Sequence, residues 1–306
     1  MSAPIIAIVG PTAVGKSAVA DEVALALGTD VLSVDAMQVY RGMDIGTAKT
    51  PPAERRVPLR LVDLVGPEEP YSAALFQRDA RMLIDEHVAC DQACVLCGGT
   101  GLYLRAALDD MRFPAGECAS PARERYERYE REHGVHALHE LLAERDPESA
   151  AVIHEHNVPR VIRALEMCDE GVSYAAQKAA FSEPTPCYDA RYFGLMMDRA
   201  RLYQRIDERV DAMMEEGLLD EVRHLVSTGA GPALTARQAI GYKELIEYLD
   251  GALSLAEAVE LIKRRSRRYA KRQLSWFRRD PRIEWISMDE QGVDGAAHLI
   301  LEGVDA

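Results

Sequence analysis

The sequence has no long apolar run, few cysteines and a deficit of positive charge, and each of these scarcities excludes a class of protein. No window holds about 18 uninterrupted apolar residues, so a membrane-spanning helix is not expected. The first apolar stretch, Ile5–Val9, is too short for the hydrophobic part of a secretory signal and lacks basic flanking residues. We therefore expect a soluble, cytoplasmic protein that does not associate with membranes.

Only six cysteines occur in 306 residues, and they follow no dense spacing pattern. This scarcity argues against a disulfide-stabilised fold and favours free thiols in a reducing compartment. One spacing, Cys90-x-x-x-Cys94-x-x-Cys97, matches that of an iron–sulfur ligand set, in which all thiolates must converge on the cluster. Residues 93–97 are typical of a buried strand, and strand alternation would direct Cys94 and Cys97 to opposite faces. An iron–sulfur cluster is therefore the less favoured alternative.

Acidic residues outnumber basic ones by 50 to 36, which gives a net charge of −14. The basic residues are unevenly distributed, because ten of them lie between Lys263 and Arg282 with a single acidic residue, Asp280. A concentrated basic segment on an acidic protein favours local binding of a polyanion, and the alternative is a basic helix face that only contacts water. The apolar positions of this region have helical spacing and are predicted to lie in the core: Val259, Ile262, Tyr269 and Trp276.

The most informative motif is a glycine-containing loop between Ile5–Val9 and a helical pattern that runs from Lys16 to about Leu27. In a G-x-x-x-x-G-K-[ST] loop, backbone amides and the helix N-terminus surround an anion, while the lysine and the hydroxyl reach phosphate and Mg²⁺. The motif predicts a di- or triphosphate ligand with Mg²⁺ on Ser17, and leaves open ATP, GTP or another diphosphate. The predicted phosphate-binding residues are Gly10, Pro11, Thr12, Ala13, Val14, Gly15, Lys16 and Ser17.

Short apolar runs alternate with helical patterns over the first hundred residues. We predict strands at residues 5–9, 31–34, 60–65 and 93–96, and helices at residues 16–27 and 72–88. Such alternation is typical of an α/β fold with a mostly parallel sheet, whose ligands bind at the carboxyl ends of the strands. Asp35 and Gly98 directly follow two of these strands, so we expect both to lie near Gly10.

From about residue 115 the sequence changes to helical patterns that are rich in Glu, Arg, Tyr and His. Strand-like residues return at Tyr192–Met197, and a helix from Arg199 to about Val226 is predicted to follow. We therefore predict a discontinuous core domain, residues 1–114 and 186–306, that is interrupted by an all-helical insertion at residues 115–185.

Further motifs follow the phosphate loop along the chain. They are Asp35–Lys49, Tyr71–Ala73, Gly98–Tyr103, Pro159–Glu166, Arg205–Arg209, Arg237–Tyr242 and Lys271–Phe277. Together they resemble one family over nearly the whole chain, the tRNA dimethylallyltransferases, also called tRNA isopentenyltransferases. The resemblance implies a P-loop NTPase-like fold, in which helices flank a parallel sheet. The zinc-finger pattern of the animal and yeast relatives does not occur in this sequence, so we expect the bacterial form.

The resemblance implies transfer of a dimethylallyl group from dimethylallyl diphosphate to N6 of the adenosine at tRNA position 37, beside the anticodon. An adenine amino group is a weak nucleophile because its lone pair is delocalised, so its proton must be accepted and the departing diphosphate stabilised. Asp35 is the implied base, and Thr100 would orient the reacting groups beside it. Lys16, the loop amides, Mg²⁺ and Arg205 would neutralise the diphosphate.

The resemblance also implies that the protein binds the tRNA anticodon stem-loop, partly through the helical insertion. The adenine would leave its stack to reach the carboxylate, and a small apolar pocket would hold the five-carbon tail. The residues implied to contact tRNA are Asp35, Ala36, Met37, Gln38, Thr100, Arg123, Pro159, Arg160, Val161, Ile162, Arg163, Arg237, Gln238, Ala239, Ile240, Gly241 and Tyr242. Leu59 departs from the family pattern, since many relatives have histidine there. We expect a monomer without an obligate protein partner.

Two other functions are compatible with parts of the sequence. A P-loop small-molecule kinase would share the strand, loop and helix, and Arg60–Asp63 is a candidate for its magnesium-binding strand end. A nucleotide-switched RNA-binding module without chemistry would account for the basic segment. Replacing Asp35 discriminates the second from a transferase, because only a transferase would lose covalent modification of RNA.

Overall fold

The computed structural model describes residues 3–113, 120–228 and 238–305. Over these ranges, six strands form one parallel sheet in the order β3-β2-β4-β1-β5-β6. The strands are β1 (Ile5–Val9), β2 (Val31–Val34), β3 (Leu59–Arg60), β4 (Cys94–Gly98), β5 (Ala190–Met196) and β6 (Ile283–Ser287). The predicted α/β class with a parallel sheet is confirmed.

The chain divides into two compact units, Met1–Leu108 with Pro186–Ala306, and Asp109–Thr185. The residue that begins the predicted insertion, 115, lies outside the described residues. The helices of the first unit are α1 (Lys16–Leu27), α2 (Ala73–Ala89), α3 (Gly101–Leu108), α8 (Arg199–Glu215), α9 (Leu218–Ser227), α10 (Tyr242–Leu249), α11 (Leu255–Phe277) and α12 (Met288–Asp305), with a short 3₁₀ turn at Pro52–Glu54. None of the helices in the described part of the chain has the length and apolar character needed to cross a membrane.

Strand alternation divides the core of the first unit into two apolar layers, one on each face of the sheet. Ile6 and Ile8 of β1 point into one layer, and Val9 points into the other. Cys97 and Cys94 of β4 likewise lie in opposite layers, as predicted. The thiols of Cys94 and Cys97 therefore do not converge.

The second unit consists of helices over its described residues: α4 (Pro121–Arg145), α5 (Pro147–Val152), α6 (Val158–Asp169) and α7 (Tyr174–Ala180). A left-handed Gly134, with φ of 86°, interrupts the helical backbone of α4. The apolar core of this unit includes Tyr126, Leu138 and Leu165. Its stability therefore comes from packing among its own helices.

The predicted strand at residues 60–65 is wrong beyond Arg60. Leu61 and Asp63 have left-handed backbones, with φ of 60° and 57°, which interrupt the extended conformation. The side chain of Asp63 forms an ion pair with Lys49, at 2.6 Å between Nζ and Oδ1. The chain consequently leaves the sheet after only two residues of β3.

The predicted single helix from Arg199 to Val226 is also wrong in one respect, because Gly217 divides it. Gly217 has φ of 102°, a conformation that L side chains rarely adopt, and it separates α8 from α9. The division lets Leu218 and Val222 pack with Tyr242 of α10 in a separate apolar cluster.

We expect Gly98→Ala to lower the free energy of unfolding by about 1 to 3 kcal/mol, the usual range for overpacking. A Cβ at residue 98 would lie 2.1 Å from the carbonyl oxygen of Val34 on the neighbouring strand. Gly295→Ala in α12 is the matched control, since its Cβ would meet only the flexible side chain of Gln291, at 3.1 Å. Alanine is preferred to glycine inside a helix by about 1 kcal/mol. Urea denaturation that gives both variants the same stability would contradict this account.

Candidate active site

Three turns meet at the carboxyl ends of adjacent strands. The phosphate loop, residues 10–17, follows β1; Asp35 follows β2; and Gly99–Gly101 follows β4. Gly98 at the end of β4 is in register with Val9 on one side and with Val34 on the other. The expectation that Asp35 and Gly98 lie near Gly10 is confirmed.

The phosphate loop depends on glycine at two positions. Gly10 has φ of 149°, and a Cβ there would lie 2.6 Å from the carbonyl oxygen of Leu195. Gly15, with φ of 106°, precedes α1 as its N-cap. The amides of the first turn of a helix have no carbonyl partner within the helix, so those of Lys16 and Ser17 suit an anion.

Three cations surround this loop. Lys16 Nζ donates to the carbonyl oxygen of Pro11 at 2.7 Å, and burial lowers its pKa to about 8. The Arg209 guanidinium lies 3.4 Å from the Thr12 hydroxyl, and burial lowers its pKa as well. Arg205 is exposed and donates to the carbonyl oxygen of Ala13 at 2.9 Å. Among the described residues, no carboxylate lies within ion-pair distance of Lys16, Arg205 or Arg209, so their charge suits a bound anion.

Asp35 is oriented by the backbone that follows it. Its Oδ1 accepts hydrogen bonds from the amides of Met37, at 2.8 Å, and Gln38, at 3.4 Å. Thr100 Oγ1 accepts from the amide of Ala36 at 3.1 Å, which joins the turn after β4 to the turn after β2. No group in the described ranges donates to Oδ2 of Asp35. That oxygen is therefore suited to accept a hydrogen bond from a substrate.

Two adjoining cavities border Asp35. The smaller, of about 110 Å³, is lined by Lys16, Ser17 and Leu59 among others, and the larger, of about 360 Å³, by Thr100. The apolar wall of the larger cavity consists of Ile206, Val210, Met213, Leu218, Ile240 and Ile262. The residues that line both cavities are Thr12, Asp35, Thr47, Arg209 and Tyr269. Asp35 thus stands between a cationic cavity and an apolar one.

The structure brings many of the residues implied to contact tRNA together at these cavities. Those that line the larger cavity are Asp35, Ala36, Met37, Thr100, Gln238, Ala239, Ile240, Gly241 and Tyr242. Gln38 lines the smaller one. Tyr242 is almost wholly buried, and its hydroxyl donates to Glu221 at 2.6 Å. Arg237 lies outside the described residues.

The remaining residues implied to contact tRNA lie in the second unit. The side chains of Val161 and Ile162 belong to the apolar core of this unit. Within residues 159–163, only Pro159, Arg160 and Arg163 can therefore contact tRNA through their side chains. Pro159 and Arg160 are exposed. Arg123 Nε and Nη2 donate to the buried Glu166 carboxylate at 3.1 and 2.9 Å, so this arginine also holds α4 against α6.

Sequence reasoning placed Tyr269 and Trp276 in the core, and both expectations are wrong. Tyr269 lines both cavities, and burial raises its pKa to about 12. Trp276 is 43% exposed and lies against Gly101. Sequence reasoning also gave no role to Arg209 or Gln273. The family motifs Arg205–Arg209 and Lys271–Phe277 contain both residues and were the available signal.

The smaller cavity has suitable oxygen donors for Mg²⁺. Ser17 is exposed at the start of α1, and its neighbours in this cavity include Asp21 and Asp35. Across the described residues, no three His, Cys, Asp or Glu side chains form a metal-binding cluster. Mg²⁺ commonly keeps several waters and is bound through one or two protein oxygens and substrate phosphates. The donor set therefore fits Mg²⁺ bound with a diphosphate.

The basic segment divides into paired and unpaired side chains. Arg265 forms an ion pair with the buried Glu244, and Arg267 forms one with Asp207. Other basic residues of α11 are exposed and, in the described part of the chain, have no carboxylate within ion-pair distance. They are Arg264, Arg268, Lys271 and Arg272. Their spacing places them on one side of the helix, which we call the basic face.

The sequence matches two family models, IPP transferase over residues 38–280 and isopentenyl transferase over residues 3–61. A tRNA dimethylallyltransferase of Carboxydothermus hydrogenoformans is 46% identical over 98% of this chain and 97% of its own length. One from Symbiobacterium thermophilum is 49% identical over 94% of this chain and 90% of its own.

The chain is also similar to solved structures of tRNA prenyltransferases. A tRNA isopentenylpyrophosphate transferase from Staphylococcus epidermidis is 36% identical, covers 99% of both chains and superposes with a TM-score of 0.73. A eukaryotic dimethylallyltransferase acting on tRNA is 26% identical and superposes with a TM-score of 0.80, over 99% of this chain and 80% of the other.

The lowered pKa of Lys16 predicts how anion affinity depends on pH. Its ammonium attracts inorganic diphosphate only while protonated, so affinity should fall as the pH rises through about 8. Lys16→Arg should retain affinity at higher pH, whereas Lys16→Ala should bind weakly throughout. Calorimetric titration between pH 6.5 and 9.5 tests this, with Lys16→Ala as the control for titration of diphosphate itself. The same pH profile in Lys16→Ala and the unmodified protein would exclude Lys16 as the source.

Proposed function

The chain belongs to the bacterial tRNA dimethylallyltransferases of the IPP transferase family, and we propose that it transfers a dimethylallyl group from dimethylallyl diphosphate to N6 of adenosine 37 in tRNA. The observation that carries this proposal is the position of Asp35 between a cationic cavity and an apolar one. Prenyl transfer to an amine needs a site for diphosphate, a site for the hydrocarbon and a proton acceptor between them. Asp35 and the two cavities meet these requirements.

The diphosphate occupies the smaller cavity. The amides at the start of α1, Lys16 and Arg209 stabilise its charge, and Arg205 extends the cationic wall from outside. Ser17 would hold Mg²⁺ together with diphosphate oxygens, and the ion would supply further positive charge to the leaving group. Because Lys16 and Arg209 are only partly exposed to water, their attraction for an anion is less screened than that of a fully exposed cation.

The larger cavity receives the dimethylallyl tail and the adenine. Its volume of about 360 Å³ lies at the lower end of the usual range for small-molecule sites, and its apolar wall suits a short hydrocarbon. An apolar wall also limits access of water, which would otherwise compete with the amine for the dimethylallyl group. Adenosine 37 must leave its stack to enter this cavity.

Asp35 acts as the general base of the reaction. The N6 nitrogen forms a bond with C1 of the dimethylallyl group as the C1–O bond breaks, and diphosphate leaves with that electron pair. The proton of N6 passes to Oδ2 of Asp35, while Oδ1 stays bonded to the amide of Met37. Thr100, which is fixed to the amide of Ala36, keeps the two turns together around the reacting atoms.

We assign RNA binding to one region in each of the two units. The basic face of α11 contacts phosphates of the anticodon stem-loop, since no carboxylate of the described residues lies within ion-pair distance of its charges. In the second unit, the exposed Pro159 and Arg160 provide further contact.

Because the substrate is tRNA and the five described cysteines are free, we place the reaction in the cytoplasm.

The kinase alternative is not favoured. The family matches cover nearly the whole chain and name transferases. In addition, Asp63, the candidate magnesium ligand of a kinase, is held by Lys49 in an ion pair at 2.6 Å. The strand before it, β3, has only two residues and does not present Asp63 at a strand end.

Asp35→Asn should lower the single-turnover rate of dimethylallyl transfer to an anticodon-arm RNA by roughly 10²- to 10⁴-fold, because an amide cannot accept the proton. RNA affinity and thermal stability should change little. Asp91→Asn is the matched control, since an amide oxygen can still accept from the Ala3 amide and asparagine tolerates its left-handed backbone. A rate for Asp35→Asn within threefold of that for Asp91→Asn would remove Asp35 from the role of base.

Replacing the basic face should weaken RNA binding and reduce its dependence on salt. The triple variant changes Arg264, Arg268 and Lys271 to alanine. The slope of log affinity against log salt should decrease by about 0.7 to 0.9 for each phosphate that the variant no longer neutralises. A control variant with the same change in net charge replaces exposed arginines that are paired with carboxylates: Arg56, Arg60 and Arg78. Equal slopes for the two variants in filter binding would show that the basic face only contacts water.

A further inference from the structure

A buried amide side chain joins two of the turns that form the site. Gln273 of α11 is only 5% exposed. Its Oε1 accepts a hydrogen bond from the Thr12 amide at 2.8 Å, and its Nε2 donates to the Gly99 carbonyl at 3.0 Å. We call this pair of hydrogen bonds the Gln273 bridge. It links the phosphate loop to the turn after β4 through a helix that is distant from both in sequence.

The backbone around the Gln273 bridge is shaped to admit it. A Cβ at residue 99 would lie 2.1 Å from Nε2 of Gln273, so only glycine allows the amide to approach this closely. One turn before Gln273, Tyr269 lines the larger cavity together with Thr100. One turn after it, Trp276 lies against Gly101, where a Cβ would be 2.1 Å from its ring. Successive turns of α11 therefore lie along Gly99–Gly101.

The Gln273 bridge is one of several side-chain contacts that hold the backbone of the phosphate loop. The Thr12 amide is held by Gln273, whereas the carbonyl oxygens of Pro11 and Ala13 accept from Lys16 and Arg205. Without Gln273, the half-buried Thr12 amide and the buried Gly99 carbonyl would both lose the side-chain partner that the structure gives them. The loop would then relax toward other partners.

We infer that Gln273 is a positioning residue for diphosphate: it fixes the phosphate loop against Gly99–Gly101 so that the loop amides and Lys16 hold the geometry that binds the anion. The identity of the anion rests on the proposed function. The same helix carries the basic face, so one rigid element positions the diphosphate loop and the proposed RNA contact. Gln273 lines the smaller cavity, and the inferred role acts through its hydrogen bonds to the two turns.

The test uses Gln273→Met, which keeps the approximate volume of the side chain and removes both hydrogen bonds. Calorimetric titration with inorganic diphosphate and Mg²⁺ should show an affinity at least about tenfold lower than that of the unmodified protein. The KM for dimethylallyl diphosphate should rise by a similar factor, while RNA affinity stays within twofold. Gln77→Met is the matched control, because Gln77 bonds the carbonyl oxygen of Ala106 at 3.0 Å, away from both cavities.

A second variant keeps the test decisive if Gln273→Met does not fold. Gln273→Asn keeps an uncharged amide that is one methylene shorter and cannot span the Thr12 amide and the Gly99 carbonyl together, and it should also lose at least about tenfold in diphosphate affinity. Diphosphate binding within twofold of the unmodified protein in a folded Gln273 variant would overturn the inference. So would an equal loss of affinity in Gln77→Met.

These outcomes are separable from failure of the proposed function. If the unmodified protein modifies RNA while the Gln273 variants bind diphosphate normally, the positioning role is wrong and the transferase assignment stands. If the unmodified protein binds diphosphate in a Gln273-dependent manner and leaves RNA unmodified, the positioning role stands and the transferase assignment is wrong.

Discussion

The carboxyl ends of β2 and β4 approach closely because Gly98 has no side chain, and β1 pairs with β4 on its other side. A single Cβ at this position would lie 2.1 Å from the carbonyl oxygen of Val34. The closeness brings the phosphate loop, Asp35 and Gly99–Gly101 into one small volume. Binding of the diphosphate and removal of the proton can occur side by side only because these strands converge.

The site also keeps opposite charges from neutralising one another. Asp35 is near enough to Lys16 and Arg209 to oppose the lowering of their pKa values by burial, yet neither forms an ion pair with it among the described residues. Lys16 instead bonds the Pro11 carbonyl, Arg209 the Thr12 hydroxyl, and Asp35 the amide of Met37. This separation leaves the cations for an anionic leaving group and one carboxylate oxygen for the amine. Because both cations are only partly exposed, water screens their attraction for an incoming diphosphate less than at the open surface.

Local patterns predicted the elements that position the loop, and long-range contacts account for what they missed. Strand β1 and helix α1 were predicted with their observed bounds because their periodicity and the glycine loop are local features. The apolar spacing is continuous from Arg199 to Val226, but the positive φ of Gly217 ends one helix and begins another. The strand at 60–65 failed because left-handed residues and the ion pair of Asp63 with Lys49 bend the chain out of the sheet.

Part of the candidate site was also predictable from the sequence. The loop motif and the family resemblance identified Lys16, Asp35 and Thr100, which the structure brings to the same two cavities. They could not show that Gln273 joins the loop to Gly99, because no periodicity relates residues that are so far apart along the chain. Helical spacing placed Tyr269 in the core, since an amphipathic pattern does not distinguish a packed face from one that borders a cavity.

The most direct test of the account is mass spectrometry of an anticodon-arm RNA after incubation with the protein, Mg²⁺ and either dimethylallyl diphosphate or ATP. The RNA should gain the mass of one dimethylallyl group at the adenosine beside the anticodon only when dimethylallyl diphosphate is the donor, and ATP should be inert. Unmodified RNA together with Mg²⁺-dependent ATP turnover would contradict it, because the phosphate loop would then serve a kinase or a nucleotide switch.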